Sequence, residues 1–225
     1  MKVSYKGFMR ERIQRNVTTI SPDASFFEAR NLIHEKGIRH LPVVDKDNRV
    51  VGILTDRDIR RAAPSDATTL SVHELNYLLG KLKVSAFMTP KNKLITITPD
   101  TLIEEAVQLM SDHKIGCLPI LEDEKLYGIF TETDALNHLV DVFGLKQKGT
   151  RLTVALEDKP GALHAVLEVF KKHEVNVISV VLPSFTVDGK RIAAIRMRTE
   201  EYEPIVKDLE RADCAVLSIG KWPSL

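Results

Sequence analysis

The sequence predicts a mixed chain of the α/β (α+β) class: two copies of one β-α-β-β-α unit, then a smaller βαββαβ sandwich. Three observations carry this expectation. A set of motifs recurs at nearly one offset within the first two thirds of the 225 residues. Apolar residues switch between helical and strand spacing in the same order in both copies. After the short, basic, glycine-flanked segment Gly144–Gly149 the pattern changes to a different order of elements.

The repeat is explicit. Ile20-Ser21-Pro22-Asp23 returns as Ile97-Thr98-Pro99-Asp100, and Ala29 and Leu32 return as Ala106 and Leu109. Gly37-Ile38-Arg39-His40-Leu41-Pro42-Val43-Val44 matches Lys114-Ile115-Gly116-Cys117-Leu118-Pro119-Ile120-Leu121. Gly52-Ile53-Leu54-Thr55-Asp56-Arg57-Asp58 matches Gly128-Ile129-Phe130-Thr131-Glu132-Thr133-Asp134. In each copy a short strand stops at the proline, which has no backbone N–H to donate. Asp23 and Asp100 are placed to cap the next helix. Phe26, Ala29, Leu32 and Ile33, and Ile103, Ala106, Leu109 and Met110, give that helix its apolar face. Strands follow at 38–44 and 50–54 and at 115–121, and second helices open near Thr55 and Thr131. One copy is too small to bury a good core alone, so the two should pack together. Between them, Ser71-x-x-Glu74 reads as a capping box, and Leu75, Leu78, Leu79 and Leu82 form a stripe for packing on the repeats or on a second subunit.

Composition narrows the function. Hydrophobic residues make up 44% and charged residues 28%, ordinary for a folded chain. With 32 basic and 31 acidic side chains the formal charge is +1, so no global field draws the protein to nucleic acid or an anionic membrane. Two cysteines without CxxC spacing exclude a disulfide scaffold and a cysteine-rich zinc module, and make the cytoplasm the simplest location. Met1–Phe8 has no apolar core of a secretory signal. No apolar run approaches the ~18 residues that a membrane span needs.

These motifs, with Phe87-Met88-Thr89-Pro90 before the second copy and Phe8-Met9-Arg10 as its weaker twin, resemble the tandem cystathionine-β-synthase (CBS) domain pair. The resemblance implies binding of an adenine nucleotide or adenosyl compound: AMP, ADP, ATP or S-adenosylmethionine. It assigns ribose contact to Thr55 and Asp58 and to Thr131 and Asp134. A carboxylate can accept hydrogen bonds from vicinal hydroxyls; the alternative is that each pair only caps a helix. Arg39, His40 and Lys114 stand where phosphate donors are needed, and Ile38, Met88 and Ile115 could enclose adenine or simply fill the core. The second copy has Gly116-Cys117 where the first has Arg39-His40, so two unequal sites are expected.

From Arg151 the apolar strand residues Leu152–Leu156, the turn Asp158-Lys159-Pro160-Gly161, and helix spacing at Leu163, Val166, Leu167 and Phe170 open a new unit. Strands at 176–181 and 191–198, a helix at 202–212 and a strand at 216–219 complete a ferredoxin-like order. Asp158-x-Pro160-Gly161-x-Leu163 followed by Val175-Asn176-Val177-Ile178 resembles the ACT domain, which implies an amino-acid site at Asp158, Pro160, Gly161 and Asn176. This chain departs from serine-sensing relatives at Leu156 and Asp158, where they carry histidine and asparagine. The expected organisation is a CBS domain at 1–68, a connector helix at 69–83, a second CBS domain at 84–143, a linker at 144–150 and an ACT domain at 151–222. A CBS pair joined to an ACT domain resembles the acetoin utilisation (AcuB) proteins, which implies a link to acetoin or acetyl-CoA metabolism.

No P-loop, GxSxG, HExxH or GxGxxG occurs, and none of the seven histidines pairs with another at i+3 or i+4. The expectation is a non-enzymatic regulator, cytoplasmic and homodimeric, with no catalytic cofactor and no metal, acting on an unidentified protein. An enzyme of acetoin breakdown and a structural adaptor with empty pockets are the alternatives.

Overall fold

In the computed structural model, residues 13–64 and 71–222 are described. The expected twin motif Phe8-Met9-Arg10 and the end of the first CBS domain (65–68) lie outside them. The chain divides into two compact units, 1–135 and 136–225.

In the first unit, α1 (Phe26–Lys36) leads to the hairpin β1 (His40–Val44) and β2 (Val50–Thr55), then α2 (Asp56–Ala62) and α3 (Val72–Lys81). Strand β3 (Thr89–Pro90) precedes α4 (Ile103–His113) and the hairpin β4 (Cys117–Glu122) and β5 (Lys125–Thr131); α5 (Glu132–Val142) begins in this unit and continues into the second. The initial strands of the repeat are reduced to single parallel bridges, Ile20 to Val43 and Ile97 to Ile120.

The duplication reappears in the cores. Phe26, Ala29, Leu41, Val43 and Leu54 are buried in one, and Ile103, Ala106, Leu118, Ile120 and Phe130 at matching positions in the other. Side chains alternate across a strand. The next residues along, Ile53 and Ile129, therefore face the other way and meet Cys117 in a small cluster shared by the two copies.

Each copy lends backbone to the other. Strand β3, which precedes the second copy, pairs with Gly52–Ile53 of the first; Gln14, which precedes the first, pairs with Ile129 of the second. The approach is close. A Cβ on Gly52 would lie 2.6 Å from Met88 Sδ and 2.7 Å from the Thr89 carbonyl oxygen, and one on Gly128 would meet Ile13 and come within 3.0 Å of the Gln14 oxygen. These two repeated glycines are needed for room. The hairpin tips are joined as well: Leu126 N–H donates to Asn48 O, and Val50 N–H to Glu124 O.

Helix caps differ in part from expectation. Ser25, not Asp23, caps α1, in a box with Glu28; Asp23 instead pairs with Lys83 at 2.7 Å. In the second copy Leu102 holds the cap position, and Thr101 accepts from Thr98 N–H in the preceding turn. The Ser71–Glu74 box forms as expected. Of the expected stripe, Leu79 and Leu82 pack on the first core, Leu75 is half-buried and Leu78 is exposed, as are Val72 and Tyr77 of α3.

The second unit is an antiparallel sheet in the order β10-β6-β9-β7, with β8 beside β9. The strands are β6 (Gly149–Leu156), β7 (Val177–Val181), β8 (Thr186–Val187), β9 (Lys190–Met197) and β10 (Ala215–Trp222), with α6 (Ala162–Lys172) and α7 (Glu203–Arg211) between them. One face buries Leu152, Val154, Ile195 and Met197 with Val166, Phe170, Ile205 and Leu209. Strand β6 starts at Gly149, inside the segment expected to be linker, and Phe143 and Gln147 bond into the sheet through Ser179 and Arg196.

Candidate functional site

A cleft of about 590 Å³ opens between the two copies, within the size range of small-molecule sites. The first copy supplies Arg39, His40, Thr55 and Asp58; the second supplies Lys114, Ile115, Gly116, Cys117 and Glu132. Residues distant in sequence meet because the hairpin tips of the two copies are joined and Ile53, Ile129 and Cys117 pack together between them.

The geometry at the head of α2 is complete. Thr55 N–H and Thr55 Oγ1–H both donate to Asp58 Oδ2, at 2.9 and 2.7 Å, and Asp58 N–H donates to Thr55 Oγ1 at 3.3 Å. This is a capping box. Its bonds engage one carboxylate oxygen only. A carboxylate has about four lone-pair positions, so Asp58 Oδ1 keeps its acceptor capacity. Thus a cap and a ligand contact, posed as alternatives by the sequence, are compatible, because the cap engages only one oxygen of the side chain.

Thr131 and Asp134 form the same box, at 2.6, 2.8 and 3.3 Å, at the head of α5. Of that turn, however, Glu132 lines the cleft while Thr131 and Asp134 do not. Ile38 and Met88 also lie off it. Both pack into the first core, where Met88 is held beside Gly52 by the β2–β3 pairing. Ile115 alone of the three expected adenine-enclosing residues reaches the cleft. Arg39 of the first copy and Lys114 of the second both line this cleft.

Sequence reasoning missed Arg57, Arg60, Arg61 and Lys93, which also line the cleft. Their signal was present in the run Asp56-Arg57-Asp58-Ile59-Arg60-Arg61 beside the Thr-x-x-Asp motif. Arg60 is engaged by Asp56 at 2.6 Å. Burial, aided by Arg39, holds His40 below its usual value against the opposite pull of Glu132 and Asp56, so the imidazole is neutral near pH 7. Burial, with Glu132 adding to it, pushes the Cys117 thiol up to about 12, which leaves it protonated and unreactive.

In the second unit a smaller hollow of about 290 Å³ lies at the β6–α6 turn. Asp158 and Gly161 line it; Pro160 and Asn176 do not. Gly161 has φ +86°, a left-handed conformation that side chains disfavour, and so permits the turn into α6. Arg191, opposite Leu156 in the sheet, lies 3.7 Å from Asp158 and offsets the negative charge that would otherwise repel a carboxylate ligand. Among the described residues no group of three His, Cys, Asp or Glu is placed to hold a metal ion, and no helix is long and apolar enough to cross a membrane.

Comparison with known proteins agrees with this architecture. The CBS domain model matches residues 9–65 and 84–141, and the TTHA0829-like ACT domain model matches 148–220. A CBS domain-containing protein of Dictyostelium discoideum is 32% identical over 138 residues, 61% of this chain and 94% of its own. An inosine-5'-monophosphate dehydrogenase of Korarchaeum cryptofilum is 29% identical over 220 residues, 92% of this chain; the chain spans 42% of that enzyme's length. Another such dehydrogenase, from Methanocaldococcus jannaschii, is 34% identical over 64% of this chain, which spans 26% of it. Among solved structures, a Vibrio cholerae protein described as an acetoin utilization protein (AcuB) superposes with a TM-score of 0.51 at 25% identity, covering 61% of this chain and 93% of that one. The chain belongs to the CBS-domain family, as a tandem pair joined to a TTHA0829-like ACT domain.

Proposed function

We propose that the protein is a non-enzymatic regulator whose CBS pair senses an adenine nucleotide or adenosyl ligand in the cleft between the copies. One observation carries this reading: Thr55 and Asp58 of one copy face Ile115 and Gly116 of the other across a single opening of nucleotide dimensions. A ligand there touches both copies, so its presence alters how firmly they are joined. That difference in interaction between two states is what a regulatory ligand needs. The regulated partner is another protein, and the likeness to the Vibrio cholerae chain points toward acetoin metabolism. The hollow beside Asp158 and Arg191 suits a small zwitterion such as an amino acid, whose carboxylate Arg191 would attract.

Calorimetric titration of the purified chain with AMP, ADP, ATP and S-adenosylmethionine tests the reading. Saturable binding of at least one is expected. Binding of none would leave a structural adaptor, and turnover of acetoin by the purified chain would make it an enzyme. The proposed working form is a homodimer, which would cover the exposed Val72, Tyr77 and Leu78 on α3. Light scattering should give twice the 25.3 kDa chain mass; a species of chain mass at micromolar concentration overturns it.

A further inference from the structure

The cleft carries an unbalanced charge. Among the described residues six basic side chains and three carboxylates line it, a surplus of three positive charges beside a neutral His40. Arg60 is the one basic residue of the six with an ion-pair partner among the described residues; Arg39, Arg57, Arg61, Lys93 and Lys114 have none. Cations gathered at one concave opening, without ion-pair partners among the described residues, raise the local concentration of anions and favour groups with several negative oxygens.

Lys114 adds a second, independent observation. It ends α4 in the left-handed region, at φ 54° and ψ 44°. The matching residue of the first copy is Gly37, at φ 61° and ψ 29°. Glycine adopts this conformation freely, whereas a residue with a Cβ is disfavoured there by about 1–2 kcal/mol. The same backbone turn is therefore made with the comfortable residue in one copy and with a lysine in the other. It is the lysine copy whose turn residue lines the cleft.

We propose that the cleft selects phosphorylated ligands, a nucleoside di- or triphosphate, over uncharged or sulfonium-bearing adenosyl compounds, and that Lys114 is a specificity-determining phosphate contact kept at the expense of local stability. The proposal rests on the nucleotide reading above and narrows it. S-Adenosylmethionine would bring a positive sulfonium toward a surplus of positive charge, whereas each added phosphate meets another unpaired cation. The cations are exposed, so the selection weakens as salt is raised.

The test is a titration series on the full chain, in EDTA, with adenosine, AMP, ADP, ATP, S-adenosylmethionine and inorganic tripolyphosphate, for wild type, Lys114→Gly and Lys114→Arg. Affinity should climb from adenosine to ATP, with S-adenosylmethionine about tenfold or more weaker than ATP. Lys114→Gly should weaken ATP about fivefold or more, leave adenosine unchanged, and hold or raise the melting temperature. Lys114→Arg should keep ATP affinity. A gain in stability with a loss of affinity is not what damage to the fold produces. S-Adenosylmethionine binding as tightly as ATP overturns the charge selection and leaves the nucleotide reading standing. Unchanged ATP affinity in Lys114→Gly overturns the role of Lys114. Tripolyphosphate binding that Lys114→Gly weakens, with no adenosine-bearing ligand bound, overturns the nucleotide reading while the selection of polyanions holds. If nothing binds, both fall.

Discussion

The two oxygens of Asp58 make the proposed ligand role separable from the cap. In Asp58→Asn the amide keeps one oxygen. The capping box needs an acceptor facing two donors, Thr55 N–H and Oγ1–H. The amide oxygen therefore takes the place of Oδ2, and the NH₂ group replaces Oδ1, the oxygen proposed for the ligand. The box survives and stability should change by less than about 0.5 kcal/mol, as for an exchange between good cap residues. The ligand side loses a charged acceptor and gains a donor. A charge-assisted hydrogen bond is worth about 1.5–3 kcal/mol, which is about a 10- to 150-fold loss of affinity. Asp58→Ala removes both functions, so it adds a cap loss of about 1 kcal/mol to a similar loss of affinity. Asp134 has the same box but lies off the cleft. Asp134→Asn should leave both readouts unchanged, and Asp134→Ala should lower stability alone. Melting temperature and calorimetric affinity for the four variants decide the matter. Normal nucleotide affinity in Asp58→Asn would refute the ligand contact and leave only the cap.

Other tests address what holds the units together. Gly52→Ala and Gly128→Ala should each destabilise the first unit by about 1–3 kcal/mol, the usual range for overpacking, because the added carbon meets a neighbouring strand; denaturant unfolding gives the figure. In the second unit Lys172, His173 and Arg211 bond to Asp208 and hold its carboxyl down at about 2, against an ordinary 3.8. A depressed carboxyl contributes stability above the unfolded value, and this is lost as pH falls from 3.8 toward 2. Asp208→Asn should remove that part of the acid sensitivity, and an unaltered acid-unfolding profile would contradict it. His40, whose value lies below the ordinary 6.5 through burial, binds its proton more weakly folded than unfolded. It therefore contributes stability that is full above pH 6.5 and falls as pH drops through the folded value. A ring-proton NMR titration midpoint at or above 6.5 would refute this.

Much of the fold was legible because duplication doubles every signal. Phe26 and Ile103, Leu41 and Leu118, or Leu54 and Phe130 could be matched in the sequence, and the same pairs fill the two cores. The caps were less legible: Asp23 and Ser25 are both good cap residues two positions apart, and the reach of Lys83, far along the chain, draws Asp23 away. The exchange of backbone between copies left no local pattern, since Thr89 pairs with Ile53 through tertiary context alone. Only in retrospect do Gly52 and Gly128, inside β-rich motifs where glycine is usually a weakness, mark a close approach. The candidate site was half legible for the same reason. Thr55, Asp58 and Arg39 carry a motif, whereas Ile38 and Met88 look equally suited to core and ligand, and both are half-buried against the first core. Lys93 has no motif at all; the pairing of β3 with β2 brings its neighbourhood to the cleft.

The reciprocal loan of backbone also bears on how the protein is made. As the chain leaves the ribosome, β2 emerges with one flank open, and it stays so until Thr89 and Pro90 follow. Ile13 and Gln14, among the earliest described residues, have no seat until the last strand of the second copy, with Gly128 and Ile129, has been synthesised. Contacts of such long separation slow folding, and the waiting strand offers a template to neighbouring chains. Neither copy can mature during synthesis without the other, so the two should gain protection from hydrogen exchange and from proteases together. A nonsense mutation between them would yield an aggregating fragment instead of a folded half.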